Sequence, residues 1–138
     1  LLRAREPATI FLGGRPGKGN EMIQTGNIIY YEHLNTVRMS EALRSSDCII
    51  SRSGYTTIME LISLGCTAFI IPTPGQTEQE YLASDLSKKG WFRSVSQKKI
   101  GTTTLVSAKA TFNGKEIMKQ SGILLEEAIK ALSEYHEQ

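Results

Sequence analysis

The sequence predicts an α/β protein in three layers, a parallel sheet covered by helices on both faces, and three observations carry that prediction. Short, near-continuous apolar runs such as Cys48-Ile49-Ile50 and Ala68-Phe69-Ile70-Ile71 alternate with helix-period segments. The connections between them are short, which favours right-handed βαβ units and a parallel sheet. Two of the connections, around Ser51-Arg52-Ser53-Gly54 and Pro72-Thr73-Pro74-Gly75, lead from a strand straight into a helix. Both turns therefore fall on the carboxyl edge of the strands, where open α/β sheets bind ligands.

In order along the chain, Ala8 to Leu12 reads as a strand stopped by Gly13-Gly14, and Asn27 to Tyr31 as a second strand, both central. From Asn35, a plausible cap, a helical period places Val37, Met39, Ala42 and Leu43 on one face, and Ser45-Ser46-Asp47 ends it. The strand Cys48 to Ile50 follows, then a helix from about Thr56 to Leu64 closed by Gly65, then the strand Thr67 to Ile71. A helix from Thr77 ends at Lys88-Lys89-Gly90, where lysines suit the negative dipole end, and Trp91 to Val95 reads as one more strand. Residues 97–121 are polar with scattered apolar positions and read as a poorly defined loop region, with a short strand near Thr104 to Val106 as one option. Gly122 to Leu132 is an amphipathic helix that would close the sheet.

Length and composition narrow the class. A chain of 138 residues suits a single domain spanning 1–138, and 40% hydrophobic with 22% charged residues is ordinary globular usage. The net charge of +2, with no basic cluster interleaved with aromatics, gives a nucleic-acid partner no electrostatic support. No apolar run approaches the ~20 residues of a membrane span, and no signal-peptide pattern opens the chain. Cys48 and Cys66 lack metal-type spacing and read as small buried hydrophobes of a reduced, cytoplasmic protein. The start at Leu1-Leu2-Arg3, without a methionine, reads as the last turn of a helix belonging to a longer protein.

The chemistry concentrates at the strand-to-helix turns. Free N–H groups at a helix start, with the positive end of its dipole, favour a phosphate or diphosphate over Ser53-Gly54. Glu60, about one turn further on, could accept hydrogen bonds from ribose hydroxyls. Thr57-x-x-Glu60 and Thr77-x-x-Glu80 also fit capping boxes, a purely structural use of the same residues. The loop Gly13-Gly14-Arg15-Pro16-Gly17-Lys18-Gly19-Asn20 misses both the phosphate-loop and the dinucleotide spacings and reads as a flexible connection. His33 and His136 stand too far from other titratable groups to suggest a metal site or a triad. Neither a metal nor another cofactor is expected.

Together, Asp47-Cys48-Ile49-Ile50-Ser51-Arg52-Ser53-Gly54, Thr57-Ile58-Met59-Glu60-Leu61, Gly65, Ala68-Phe69-Ile70-Ile71-Pro72, Gln79-Glu80-Tyr81 and Gly90 resemble a known pattern. It is that of the C-terminal, Rossmann-like donor domain of GT-B glycosyltransferases, nearest to the family 28 enzymes. The resemblance runs from about Ala8 to Val95. It implies that Arg52, Ser53, Gly54, Tyr55 and Thr56 surround the donor diphosphate and that Glu60 holds the ribose. It also implies that Gln76, Thr77 and Gln79 contact the donor sugar and that His33-Leu34 lie near the backbone that reads uracil. The family's first strand and its Gly-rich phosphate loop are expected before Leu1, so the fold reads as truncated at its N-terminal edge. The catalytic base and the acceptor site are expected on a separate N-terminal domain, so none of the chain's residues is assigned as catalytic.

The resemblance thus implies transfer of a hexosyl group, N-acetylglucosamine-like, from a UDP-sugar to an acceptor hydroxyl. The acceptor could be lipid-linked and the whole enzyme peripheral at the inner membrane face. Two alternatives remain open. An epimerase or hydrolase of the same architecture would need carboxylates aimed at the sugar, for which Glu78 and Glu80 are the candidates. A non-catalytic doubly wound module would bind at the same edge without chemistry.

Overall fold

The computed structural model describes residues 8–14 and 22–136. They belong to two compact bodies, one ending at Ala42 and the other starting at Leu43. Residues 15–20 of the Gly-rich loop, and the helical turn expected at Leu1 to Pro7, lie outside the described residues.

In the first body, β1 (Thr9–Leu12), β2 (Met22–Thr25) and β3 (Ile28–Tyr31) form a sheet of order β1-β3-β2. β3 is central as expected, whereas β1 is an edge strand. β1 runs parallel to β3, and the unanticipated β2 runs antiparallel to it. Thr25 pairs with Ile28, which leaves Gly26-Asn27 as a two-residue hairpin turn. Gly26 has φ 60°, a conformation that costs glycine nothing, and Gly-Asn between two β-type runs is the local signal for β2. Phe11 and Tyr30 stack across the β1–β3 pair with ring centroids 5.6 Å apart. α1 (Thr36–Ser45) starts at its expected cap, because Asn35 Oδ1 accepts the Arg38 N–H at 2.9 Å.

In the second body, β4 (Ile50–Arg52), β5 (Phe69–Ile71) and β6 (Arg93–Ser94) form an all-parallel sheet of order β4-β5-β6. The six strands thus divide between two sheets, and β4 sits two residues later than the apolar run suggests. Its register explains the shift: Ser51 pairs with Ile70 and Arg52 with Ile71, so polar residues continue the ladder. Only Ser53-Gly54 remains as the turn into α2 (Tyr55–Leu64). α2 ends at Gly65, whose φ of 68° allows its N–H to close on Ile62 O, and α3 (Thr77–Lys88) begins and ends as expected.

The core packs both helices on this sheet. Ile58, Leu61 and Ile62 of α2 meet Ala83 and Leu86 of α3, together with Ala68, Ile70 and Phe92. The chain between β6 and the last helix contains a 3-10 turn (Ile100–Thr102), and residues 104–106 form no strand. The final helix, α4 (Gly114–His136), begins eight residues before the expected Gly122. Its cap is Asn113, whose Oδ1 accepts the Glu116 N–H at 3.3 Å. Ile117 and Met118 pack on the core, and a Cβ at buried Gly114 would run into the Ile62 carbonyl oxygen. Phe112 lies between Trp91 and Phe92, at centroid distances of 5.6 and 5.8 Å. Lys89 Nζ lies 5.2 Å from the Trp91 ring centroid, and Thr67 Oγ1 donates to the Trp91 carbonyl at 2.6 Å.

The cysteines correct another expectation. Both are free, but Cys48 is exposed, whereas half-buried Cys66 packs against the core. Burial nonetheless pushes both thiols above their ordinary pKa, with Arg44 pulling Cys66 partly back.

Candidate functional site at the carboxyl edge of the parallel sheet

β4 and β5 are parallel neighbours. The turns that leave their carboxyl ends, Ser53-Gly54 before α2 and residues 72–76 before α3, therefore share one edge of the sheet. The turn before α2 is short and open. Gly54, the N-cap, has extended backbone (φ −68°, ψ 142°) and makes no side-chain cap. Among the described residues, the N–H groups of Tyr55, Thr56 and Thr57 have no protein partner. A Cβ built at Gly54 would meet nothing within 4 Å. Unpaired donors at the positive end of a ten-residue helix are the kind of group that favours an anion.

The capping boxes do not form. The first places Thr57 at the cap, whereas the helix starts at Tyr55 and the cap is Gly54. Glu60 then lies six residues beyond the cap, too far along to reach the orphan donors. Half-buried Glu60 sits one turn along α2 from Thr56, and among the described residues its carboxylate has no hydrogen bond or ion pair. In the second, Thr77 is the first residue of α3 and Gln76 the cap. Glu80 Oε1 instead accepts the Gly75 N–H at 3.3 Å, and Gln79 Oε1 accepts the Thr73 N–H at 2.9 Å.

The candidate side chains separate into engaged and open groups. Ser53 is fully buried, and its hydroxyl donates to the Gln79 carbonyl at 2.9 Å. Its side chain therefore points into the protein, and what it can offer an anion is backbone. Gln79 also donates from Nε2 to Gln76 Oε1 at 2.7 Å, so two candidate sugar contacts brace one another. Arg52 is exposed and, among the described residues, reaches only the Ile71 carbonyl, at 3.5 Å. Tyr55, Thr56, Gln76 and Thr77 are exposed, and Glu78 is exposed on the first turn of α3. His33 and Leu34 belong to the first body, in the loop between β3 and α1, with His33 exposed and Leu34 buried.

The link from Ser53 to Gln79 and the two loop N–H groups held by Gln79 and Glu80 are absent from the sequence reading. A Gln-x-x-Gln-Glu string at a helix start, directly after Pro-Thr-Pro-Gly, is their only trace in the sequence. A small cavity beside Asp47, Cys48 and Arg93, with room for about one water, lies at the opposite, amino end of the strands. Among the described residues no cluster of three or more His, Cys, Asp and Glu could hold a metal ion. No helix among them is long and apolar enough to cross a membrane.

A parallel sheet whose strands lead through short turns into helices at its carboxyl edge defines a Rossmann-like α/β domain. More specifically, the chain belongs to the glycosyltransferase family 28 C-terminal domain, whose family model matches residues 16–131.

Curated relatives agree. The chain is 36% identical over 76 residues to the UDP-N-acetylglucosamine–N-acetylmuramyl-(pentapeptide) pyrophosphoryl-undecaprenol N-acetylglucosamine transferase of Desulforudis audaxviator, covering 54% of this chain and 20% of that protein. It is 33% identical over 97 residues to the same-named enzyme of Desulforamulus reducens, covering 68% of this chain and 26% of that one. An uncharacterised glycosyltransferase of Methanosarcina mazei is 37% identical over 54 residues, covering 39% and 14%. The chain thus spans well under half the length of the curated relatives it matches. No solved structure gives a significant match.

Proposed function

We propose that this chain is the donor-binding half of a hexosyltransferase that moves an N-acetylglucosamine-like sugar from a UDP-sugar to an acceptor hydroxyl. The observation that carries the reading is the N-terminus of α2 over Ser53-Gly54, whose first N–H groups have no partner among the described residues, with Glu60 further along the same helix. As the sugar leaves the nucleotide, negative charge grows on the diphosphate. Donors fixed before the reaction stabilise that charge without rearranging. The Tyr55, Thr56 and Thr57 N–H groups supply such donors, and exposed Arg52 adds positive charge at the end of β4. Glu60 accepts from the ribose hydroxyls and is a binder, not a base. Gln76, Thr77 and Gln79 read the donor sugar.

The acceptor and the base that activates it belong to another domain of the longer protein. The acceptor named for the relatives is linked to undecaprenol, which supports a lipid-linked acceptor here. For the epimerase or hydrolase reading, one of the two candidate carboxylates, Glu80, holds the Gly75 N–H through Oε1, which leaves exposed Glu78 as its main candidate. Titrating the chain with UDP and with ADP, followed by NMR, tests the proposal. UDP should bind in preference, with shifts at Tyr55 to Thr57 and at Glu60. No response there at millimolar UDP would sink it.

A further inference from the structure

Ser53 is the buried polar residue of the described core, with no exposed surface, in a turn otherwise open to solvent. A buried hydroxyl needs a partner. This one finds it 26 residues away, in the carbonyl of Gln79 within the first turn of α3, at 2.9 Å. Gln79 is in turn the hub of the second turn. Its side chain takes the Thr73 N–H at 2.9 Å through Oε1 and gives Nε2 to Gln76 Oε1 at 2.7 Å. Glu80, the next residue, takes the Gly75 N–H. One bond therefore ties the turn over which the diphosphate would sit to the whole assembly that would meet the sugar. Sheet pairing of β4 with β5 stops at Arg52–Ile71, so beyond the strand ends this bond takes over from the ladder.

We propose that Ser53 is a positioning residue: its buried hydroxyl, bonded to the Gln79 carbonyl, sets the sugar-reading first turn of α3 against the diphosphate turn of α2. The inference rests on the donor-site reading and deepens it. It assigns Ser53 the coupling of two subsites rather than side-chain contact with phosphate. Gln79 O is a backbone atom of a helix, so removing the hydroxyl leaves that carbonyl its helical partner. Ser53→Ala therefore tests the link at small risk to folding.

Two measurements decide. The first needs no ligand. Hydrogen exchange at Gln76 and Glu80, whose N–H groups bond to Thr73 and Gln76 carbonyls, should speed up in Ser53→Ala by roughly threefold to tenfold, as loss of one neutral hydrogen bond implies. Exchange at Leu61 and Ile62, deep in α2, should stay as in wild type. The second compares UDP with UDP-N-acetylglucosamine by NMR titration. In wild type, UDP should shift the amides of Thr77 to Glu80 along with those of Tyr55 to Thr57. In Ser53→Ala the response in α3 should vanish and the advantage of the sugar nucleotide over UDP should shrink. A merely structural role would weaken both nucleotides in proportion and keep the α3 response.

Unchanged exchange at Gln76 and Glu80 overturns the inference whatever the nucleotides do. If wild type binds and Ser53→Ala keeps both the α3 response and the sugar-nucleotide advantage, the coupling is refuted while the donor site stands. If wild type answers neither nucleotide, the donor site fails and with it the coupling of subsites.

Discussion

Replacing Glu60 with Gln separates a ligand from a helix cap. The substitution keeps the shape and removes the charge. The carboxylate is half-buried, has no partner among the described residues and lies six residues beyond the Gly54 cap, so no helix donor depends on it. Stability should therefore stay within about 0.5 kcal/mol of wild type, as for surface substitutions away from special features. Binding should respond differently. A hydrogen bond to a charged group is worth ~1.5–3 kcal/mol, so UDP affinity should fall roughly tenfold to a hundredfold. Thermal melts and calorimetric UDP titrations of both proteins measure the two quantities. A third arm uses 2′-deoxy-UDP, which wild type should bind more weakly than UDP and Glu60→Gln should scarcely distinguish from it. If the variant binds UDP like wild type, Glu60 does not hold the ribose. A loss of stability of more than ~1 kcal/mol would instead show a structural role that the geometry does not contain.

Further expectations concern packing, backbone, acidity and turnover. Gly114→Ala should cost ~1–3 kcal/mol, because its methyl group meets the Ile62 carbonyl oxygen, whereas Gly122→Ala in open space should stabilise by up to ~1 kcal/mol; paired chemical denaturation curves check both. Gly65→Ala should lose ~1–2 kcal/mol by forcing a side chain into the left-handed region at φ 68°, seen as a lower denaturation midpoint. Raised thiol pKa values at Cys48 and Cys66 mean the folded chain holds its thiol protons more tightly than the unfolded one. That contribution is complete below the ordinary thiol pKa and is lost as pH climbs through the raised values; alkaline melts of a Cys48→Ser, Cys66→Ser double variant should lack the loss. The chain alone should release no UDP from UDP-N-acetylglucosamine, since alignment with an acceptor, worth ~7–11 kcal/mol of barrier, needs the other half; sustained release abolished by Glu78→Ala or Glu80→Ala would favour a self-contained hydrolase.

Much of the second body is legible in the sequence, because its signals are local. α3 ends where lysines and glycine say it should, and Gly65 closes α2. The departures come from interactions between distant residues. Ser51 and Arg52 look like a turn but extend β4, since the ladder with Ile70 and Ile71 overrides their weak strand preference. The first two turns of α4 hide in a polar stretch because Asn113 and packing of Ile117 and Met118, rather than a visible period, start the helix. β2 is short and exposed along its length, so it shows no alternation to read. At the site, the Ser/Gly turn from strand to helix can be read from the residues, with the helix start one residue from its observed place at Tyr55. The inward turn of Ser53 cannot, because its partner is a backbone atom 26 residues away.

The tilted contact of Trp91 with Phe112 has a practical consequence. Trp91 is the single tryptophan of the chain and lies in the second body. It is half-buried, with Phe112 on its ring and Lys89 above it, and Thr111, beside Phe112, bonds to Gly90 through its hydroxyl at 3.2 Å. Its emission therefore reports whether the run from the 3-10 turn to the start of α4 is seated on the parallel sheet. Tyrosines Tyr30 and Tyr31 sit on β3 of the other body. A fluorescence trace excited at the red edge, where tyrosine does not absorb, would follow one body while far-ultraviolet circular dichroism follows both, and a gap between the two curves would count the cooperative units directly.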